Sequence, residues 1–314
     1  MTKKILITAP AYFDEAAVTL FRQLGEVTVR EMSREELLRQ VADFTVLAIR
    51  VDTFIDKELI DAARNLKVIA TGTTGVNHID VEYAKKKGIE VISLQGANTI
   101  ATTEHTLALL LSLVRKIPTA HASIMDGKWQ RSAFIGTELS GKKLGIVGFG
   151  RIGRDIAKVA LHLGMRILAY DPYLPESVFT DCQATRITSM DTIFAEADVI
   201  TLHVLLTDET RNLVNKQRLA LMKPTSVLIN CSRGEIVSES DLLQALDEKK
   251  IAGAALDVFV TEPLFADNPL IRYAQENHNL ILTPHIAGST KESIREAGLY
   301  LAVKIEEFFT GETI

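Results

Sequence analysis

The stretch Lys143-Leu-Gly-Ile-Val-Gly-Phe-Gly-Arg-Ile-Gly-Arg154 constrains this chain more than any other. It reads as a buried strand from Leu144 to Val147, a glycine turn, and the start of a helix through Ala157, Val159 and Ala160. Gly148, Gly150 and Gly153 fill the glycine places of G-x-G-x-x-G. The first makes a tight turn, the second lets backbone approach a pyrophosphate, and the third lets helix and strand pack closely. The helix that follows points free N–H groups and its positive end at that phosphate. A second apolar run, Ile167 to Tyr170, ends in Asp171, 18 residues beyond Gly153. A carboxylate there accepts hydrogen bonds from an adenosine ribose, which favours NAD over NADP. An ordinary strand–turn–helix leaves Asp171 unexplained.

Length and composition fit around that unit. A chain of 314 residues predicts two domains, each large enough for its own core. Hydrophobic residues at 47% and charged residues at 24% match an ordinary soluble globular protein. A net charge of -5 gives no support for binding nucleic acid or an anionic membrane. The densest apolar segment, Leu107 to Val114, is too short to span a bilayer. The N-terminus reads as a first strand rather than a signal peptide, and a cytoplasmic protein is expected. Cys182 and Cys231 suggest neither a disulfide framework nor a metal site.

Along the chain, short apolar runs alternate with helical patterns. Ile5–Thr8, Val27–Val29, Val46–Ile49, Val68–Ala70 and Val91–Ile92 read as strands, and Ser33 to Glu36 has capping-box spacing. This alternation argues for a parallel sheet covered on both faces. The first unit ends near Asn98 and has no phosphate-binding glycine pattern. Ile100 to Ile117 reads as a long helix closed by Pro118. After the glycine unit come further strands at Val199–Leu202, Val227–Ile229, Ala254–Leu256 and Leu280–Leu282, with a helix from Ser240 to Lys250. A last helix, about Lys291 to Phe309, ends near Gly311; if it packs on the first unit, that domain is residues 1–98 plus 289–314 and the other is 99–288.

Three polar residues lie just beyond predicted strands, where open α/β sheets bind ligands. They are Arg233, Glu262 and His285. Singly, each has a dull explanation: a surface arginine, a turn glutamate before Pro263, a locally satisfied histidine. Their joint position behind a dinucleotide motif points to chemistry.

The motifs together resemble the D-isomer-specific 2-hydroxyacid dehydrogenases over essentially the whole length. They are Gly141 to Gly153, Asn230-Cys-Ser-Arg-Gly234, Leu256-Asp-Val-Phe259 with Glu262-Pro263, Thr283-Pro-His-Ile-Ala-Gly288, and Asn98 to Ala101 with Glu104-His-Thr-Leu107. The resemblance implies two doubly wound parallel-sheet domains, a flavodoxin-like substrate domain and a Rossmann cofactor domain. It implies hydride transfer between NAD(H) and a small 2-oxo acid, with His285 as proton donor, Glu262 orienting it and Arg233 gripping the carboxylate. Histidine suits the role because its reference pKa, about 6.5, lies near working pH.

Cofactor contacts implied by the same resemblance are Thr102, Gly148, Gly150, Arg151, Ile152, Gly153, Asp171, His203, Cys231, Asp257 and Gly288. Arg50 and the backbone of Thr74, Gly75 and Val76 would face substrate; Trp129 reaches the cleft or, as a lone tryptophan more often does, packs. The chain departs from the pattern at His203-Val204-Leu205, which lacks the usual proline, and at His78, where many members carry another polar residue. Asp52 beside Arg50 argues against a phosphate-bearing substrate without excluding 3-phosphoglycerate, and leaves hydroxypyruvate, glyoxylate or another small 2-oxo acid open. A homodimer through residues 98–136 is expected. An NADH-sensing corepressor without turnover is the alternative reading. Formate- and phosphite-type dehydrogenases are disfavoured, since Glu262 stands where the former have glutamine and Thr74 lies where the latter have lysine.

Overall fold

In the computed structural model, residues 2–94 and 96–311 are described. The chain forms two compact units, Met1–Asn98 with Ser289–Ile314, and Thr99–Gly288. In the first unit β1 (Lys4–Ile7), α1 (Glu15–Leu24), β2 (Glu26–Val29), α2 (Arg34–Gln40), β3 (Val46–Ile49), α3 (Lys57–Ala62), β4 (Val68–Thr71), α4 (Val81–Lys86) and β5 (Glu90–Ser93) alternate strictly. The strands form one parallel sheet in the order β2-β1-β3-β4-β5, the flavodoxin-like arrangement.

Strand alternation explains why continuous apolar runs suit this sheet. Leu47, Ile49 and Ile69 point to the face covered by Leu37 of α2, Leu59 and Ile60 of α3 and Ala84 of α4. Val46, Ala48, Val68 and Ala70 point to the other face, against Val18 and Phe21 of α1. The capping box at Ser33 forms: Ser33 Oγ accepts from Glu36 N–H while Glu36 Oε2 accepts from Ser33 N–H.

The second unit begins with α5 (Thr99–Val114) and α6 (Ile117–Met125). It continues through β6 (Lys143–Val147), α7 (Arg151–His162), β7 (Arg166–Tyr170), α8 (Glu176–Asp181), β8 (Ala184–Arg186), α9 (Met190–Glu196) and β9 (Val199–Leu202). Then follow α10 (Lys216–Leu221), β10 (Val227–Asn230), α11 (Glu239–Asp247), β11 (Gly253–Leu256), α12 (Pro269–Glu276) and β12 (Leu280–Leu282). Its seven strands are all parallel in the order β12-β11-β10-β9-β6-β7-β8. The order reverses at β6, between β9 and β7, which is the switch point where doubly wound sheets open a crevice.

The last helix, α13 (Lys291–Thr310), belongs to the first unit, where Ala297, Leu301, Ala302 and Ile305 are buried beside α1 against β1, β3 and β4. It stops at Gly311, whose φ of 74° is the left-handed cap that glycine supplies.

One expected helix boundary fails. The helix read as Ile100 to Ile117 stops at Val114, and Pro118 opens α6 rather than closing α5. Lys116 takes a left-handed φ of 54° between them, and the two axes bend by 63°. Proline fits a helix's first turn because the N–H it lacks has no partner there anyway. No single helix among the described residues is long and apolar enough to cross a membrane. Among the same residues no group of three or more His, Cys, Asp or Glu could hold a metal.

Candidate active site

The carboxyl edge of the seven-stranded sheet collects most of the residues singled out in the sequence. His285 follows β12, Asp257 follows β11, Cys231 and Arg233 follow β10, His203 follows β9, Gly148 follows β6 and Asp171 follows β7. At roughly 4.8 Å between strands, the row from β12 to β7 extends about 24 Å, enough for an extended dinucleotide.

The glycine turn is built to receive such a ligand. Gly148 has φ 91°, and a Cβ there would sit 2.5 Å from the His203 carbonyl oxygen. A Cβ on Gly153 would meet the Gly148 carbonyl oxygen at 2.4 Å, whereas one on Gly150 would meet nothing within 4 Å. The first and third glycines are therefore forced by packing, and the second faces open space at the N-cap of α7. No side chain caps that helix, and no acidic residue occupies its first turn. Arg151 and Ile152 thus begin a helix whose N–H groups and dipole are available to a pyrophosphate. Asp171 is fixed across the turn: Oδ2 accepts from Phe149 N–H at 3.0 Å and Oδ1 from Tyr173 N–H at 3.0 Å. A charged carboxylate keeps further lone pairs for a ribose.

At the other end of the row, Asp257 organises the loop after β12. It is fully buried. Its Oδ1 accepts from Thr283 Oγ1 at 2.6 Å and Ile286 N–H at 3.0 Å, and its Oδ2 from Ala287 N–H at 2.8 Å. His105 of α5 adds Nε2 at 3.3 Å from Oδ1 and 3.2 Å from Thr283 Oγ1. Thr283 spends its proton on Asp257, so His105 Nε2 is the donor to both. Burial alone would raise the Asp257 carboxyl, but the bonds from His105, Thr283, Ile286 and Ala287 outweigh it and hold its pKa below the ordinary value.

These contacts hold His285 in the left-handed region, φ 53°, while its N–H donates to the Asp257 carbonyl at 2.8 Å. For a residue with a Cβ this conformation costs on the order of 1–3 kcal/mol. It places His285 Nδ1 2.6 Å from Glu262 Oε2. Glu262 Oε1 accepts from Phe259 N–H at 3.0 Å, which fixes the carboxylate. A carboxylate only accepts, so Nδ1 carries the proton and Nε2 is the nitrogen left to give or take one.

Arg233 is brought to the same end by its own turn. Asn230 Oδ1 accepts from Ser232 N–H at 3.0 Å and Ser232 Oγ at 2.6 Å, while Asn230 Nδ2 donates to the Arg233 carbonyl at 2.9 Å. Gly234 lies so close to the β11 loop that a Cβ would fall 1.9 Å from the Phe259 carbonyl carbon. Burial lowers the Arg233 pKa, opposed by the charges of Glu262 and then Glu235. Arg233, Glu262 and His285 therefore form one cluster.

The remaining expected contacts vary. Thr102 is buried in α5, and its carbonyl accepts from Thr106 Oγ1 at 2.7 Å. Cys231 is buried beside Thr106, and burial pushes its thiol pKa up to about 12. His203 keeps its ring against Thr201 Oγ1 at 2.8 Å, and burial lowers its pKa to about 3, so it is neutral. Gly288 is the last residue of this unit. Trp129 is 79% exposed, so it does not pack inside the chain.

Arg50 and the loop Thr74–Val76 belong to the first unit, at the carboxyl ends of the neighbouring strands β3 and β4. The Arg50 guanidinium lies 4.1 Å over the Tyr12 ring and donates from Nη1 to the Gly72 carbonyl at 3.0 Å. Its Nε is buried and has no hydrogen-bond partner among the described residues. Burial lowers its pKa, opposed by Tyr12 and then Asp52.

His105, Thr283 and Asn230 carry no role in the sequence reading. Asn230, Thr283 and His105 all stand inside recognisable motifs, but His105 meets Thr283 across 178 residues, a pairing that spacing does not reveal.

Residues 107–287 match the family model described as D-isomer specific 2-hydroxyacid dehydrogenase, NAD binding domain. The chain is 41% identical over 310 residues to a D-3-phosphoglycerate dehydrogenase of Methanocaldococcus jannaschii, covering 98% of this chain and 58% of that protein. It is 39% identical over 280 residues to a hydroxypyruvate reductase of Thermotoga maritima, covering 89% of this chain and 90% of that one. It thus spans 53–58% of the length of three phosphoglycerate dehydrogenases that it matches. The D-lactate dehydrogenase of Aquifex aeolicus, solved with NAD and lactic acid, superimposes with a TM-score of 0.87 at 29% identity, over 98% of this chain and 96% of that one. The chain belongs to the D-isomer specific 2-hydroxyacid dehydrogenase family, and residues 107–287 are its NAD binding domain.

Proposed function

We propose that this protein transfers hydride between NAD(H) and a small D-2-hydroxy acid or its 2-oxo counterpart. The observation that carries the reading is the 2.6 Å pair of His285 Nδ1 and Glu262 Oε2, held by a strained backbone next to Arg233. When bound, NADH supplies the hydride for the carbonyl carbon. Imidazolium at His285 gives the Nε2 proton to the carbonyl oxygen; in the reverse direction the neutral ring takes it back. Glu262 fixes the ring and balances its charge. Arg233 offers a planar fork to the substrate's carboxylate. General acid–base help of this kind contributes roughly 10²–10⁴ in rate.

The uncapped N-terminus of α7, the open space at Gly150 and the fixed Asp171 support NAD as the dinucleotide. Thr102, Arg151, Ile152, His203, Cys231, Asp257 and Gly288 complete the proposed cofactor wall.

Arg50 and the N–H groups of Thr74, Gly75 and Val76 receive the acid end of the substrate. The buried Arg50 Nε has no hydrogen-bond partner among the described residues, which suits an anion receptor. The Asp52 charge acting on it opposes a phosphate, so hydroxypyruvate or glyoxylate is preferred to 3-phosphoglycerate. The T. maritima hydroxypyruvate reductase, which matches over most of both lengths, points the same way. A sensor without turnover is disfavoured, because it has no use for a proton-transfer pair poised at hydrogen-bond distance.

The homodimer reading is supported by Ile117, Ile124, Met125, Trp129 and Ile135, all exposed along α6 and the segment after it. A cytoplasmic location, with neither nucleic acid nor membrane as partner, fits the acidic net charge. The deciding experiment follows nicotinamide absorbance as NADH is offered with a panel of 2-oxo acids. Oxidation with hydroxypyruvate or glyoxylate is expected; no turnover with any 2-oxo acid would overturn the assignment.

A further inference from the structure

The loop after β4 is held by a chain of side chains that the reaction itself does not use. Thr73 Oγ1 donates to the Gly75 carbonyl at 2.7 Å. Thr71 Oγ1 lies 2.8 Å from Thr73 Oγ1, and His78 Nε2 lies 3.0 Å from Thr71 Oγ1. Thr71 is fully buried and His78 is 5% exposed.

A carbonyl oxygen has no proton to give, and that fixes the direction of every link. Thr73 must donate to Gly75, so Thr71 must donate to Thr73. Thr71 then has no proton left for the ring, and His78 Nε2–H must donate to Thr71. The run is one-way: His78, Thr71, Thr73, Gly75.

Its far end decides where a backbone N–H points. A trans peptide sets C=O and N–H on opposite sides. Drawing the Gly75 carbonyl toward Thr73 therefore turns the Val76 N–H the other way. Ile79 N–H to the Val76 carbonyl at 2.9 Å and Leu94 N–H to the Thr73 carbonyl at 3.0 Å anchor the loop on both sides. The N–H groups of Thr74, Gly75 and Val76 donate to no other described residue. Successive outward N–H groups of this kind form an anion-binding concavity.

We propose that His78, acting through Thr71 and Thr73, is a positioning residue that sets the Gly75–Val76 peptide to receive the substrate's carboxylate. This rests on the 2-oxo acid reading above. It assigns a purpose to a buried histidine to which the proposed reaction gives no other role. The carboxylate of any 2-oxo acid suffices as ligand, so the device governs acid affinity and leaves hydride transfer untouched.

Thr73→Val removes the final hydroxyl with little change of shape, and His78→Phe removes the first donor. His78→Gln retains an N–H at similar reach. Each is assayed with the 2-oxo acid that wild-type enzyme reduces fastest, and oxamate binding to the NADH complex is measured by calorimetry. Thr73→Val and His78→Phe should raise KM and the oxamate Kd about tenfold, the scale of one weakened hydrogen bond to a charged group. Turnover number and NADH affinity should stay within about twofold, and His78→Gln should recover most of the loss. If His78→Phe does not fold, the half-buried Thr73→Val decides. Unchanged KM and oxamate affinity in a folded variant would overturn the proposal while the 2-oxo acid reading stands. Parallel losses of turnover, NADH affinity and melting temperature would reduce the chain of bonds to a structural role and equally overturn it. Wild-type enzyme inactive on every 2-oxo acid would instead refute the underlying reading, and this inference with it.

Discussion

Replacing Asp257 with asparagine isolates what holds His285 in place. The carboxylate accepts from Thr283, Ile286 and His105 at Oδ1 and from Ala287 at Oδ2. Asparagine has one oxygen. Its better orientation keeps that oxygen at the Oδ1 position and turns an NH₂ toward the Ala287 N–H, so one bond is lost and two donors face each other. The site is fully buried, and no solvent replaces the bond. A hydrogen bond to a charged group contributes about 1.5–3 kcal/mol, and the three remaining bonds weaken as the charge disappears. A loss of about 2–4 kcal/mol follows, or a fall in Tm of roughly 5–15 °C for a unit of this size.

The His285 backbone loses its hold at the same time, so kcat should drop about 10- to 100-fold with the fold intact. Calorimetry and steady-state kinetics on the same preparation check both numbers. A Tm within 2 °C of wild type, on the scale of about 1 kcal/mol or less, together with kcat within about twofold would refute the reasoning. The pH dependence has a definite sign. The folded carboxyl ionises below its ordinary value, so its stabilisation is fully present above about pH 3.9 and is lost as pH falls through the lower folded pKa.

His285→Ala should reduce turnover by about 10²–10⁴ while NADH affinity, read by fluorescence quenching, changes little; unchanged turnover would remove His285 from the mechanism. Gly148→Ala should abolish NADH binding or folding, because a Cβ 2.5 Å from the His203 carbonyl adds a clash to a φ of 91°; a stable variant with normal NADH affinity would contradict the turn geometry. His203 has a folded pKa of about 3, below the unfolded value of about 6.5, so between those values the unfolded state binds the extra proton. Stability should therefore fall on acidification across that window by up to about 1.4 kcal/mol per pH unit, and urea titrations of His203→Gln should show a flatter slope. Cys231, held neutral up to about pH 12, should resist thiol alkylation at pH 8 in the folded enzyme; rapid labelling there would count against its burial.

Strand positions were readable because parallel strands buried on both faces are continuous apolar runs. Val46–Ile49 and Val199–Leu202 are such runs, and both have their expected bounds. The short edge strand Ala184–Arg186 has no such signal and went unread, since its residues are only partly buried. Pro118 misled because proline stops one helix and starts another with equal ease; the left-handed Lys116 that separates them has no sequence signature. In the candidate site, Glu262 and His285 were visible as motif residues, but their 2.6 Å contact depends on a histidine backbone that local propensity does not select. His105 was visible in the motif Glu104-His-Thr-Leu107, but its partners were not, because only the folding of β11 and β12 brings Asp257 and Thr283 to it.

The route of the chain also bears on how the protein is made. Part of the cover on one face of the first sheet is α13, which leaves the ribosome only after residues 99–288. At roughly 5–20 residues per second, Ile5, Val46 and Val68 wait about 10–40 s for that cover. The continuous nucleotide-binding unit can close during this interval, and the unit begun first is finished last. A nascent chain arrested before Lys291 thus presents a greasy, half-clad sheet, the kind of surface that chaperones hold.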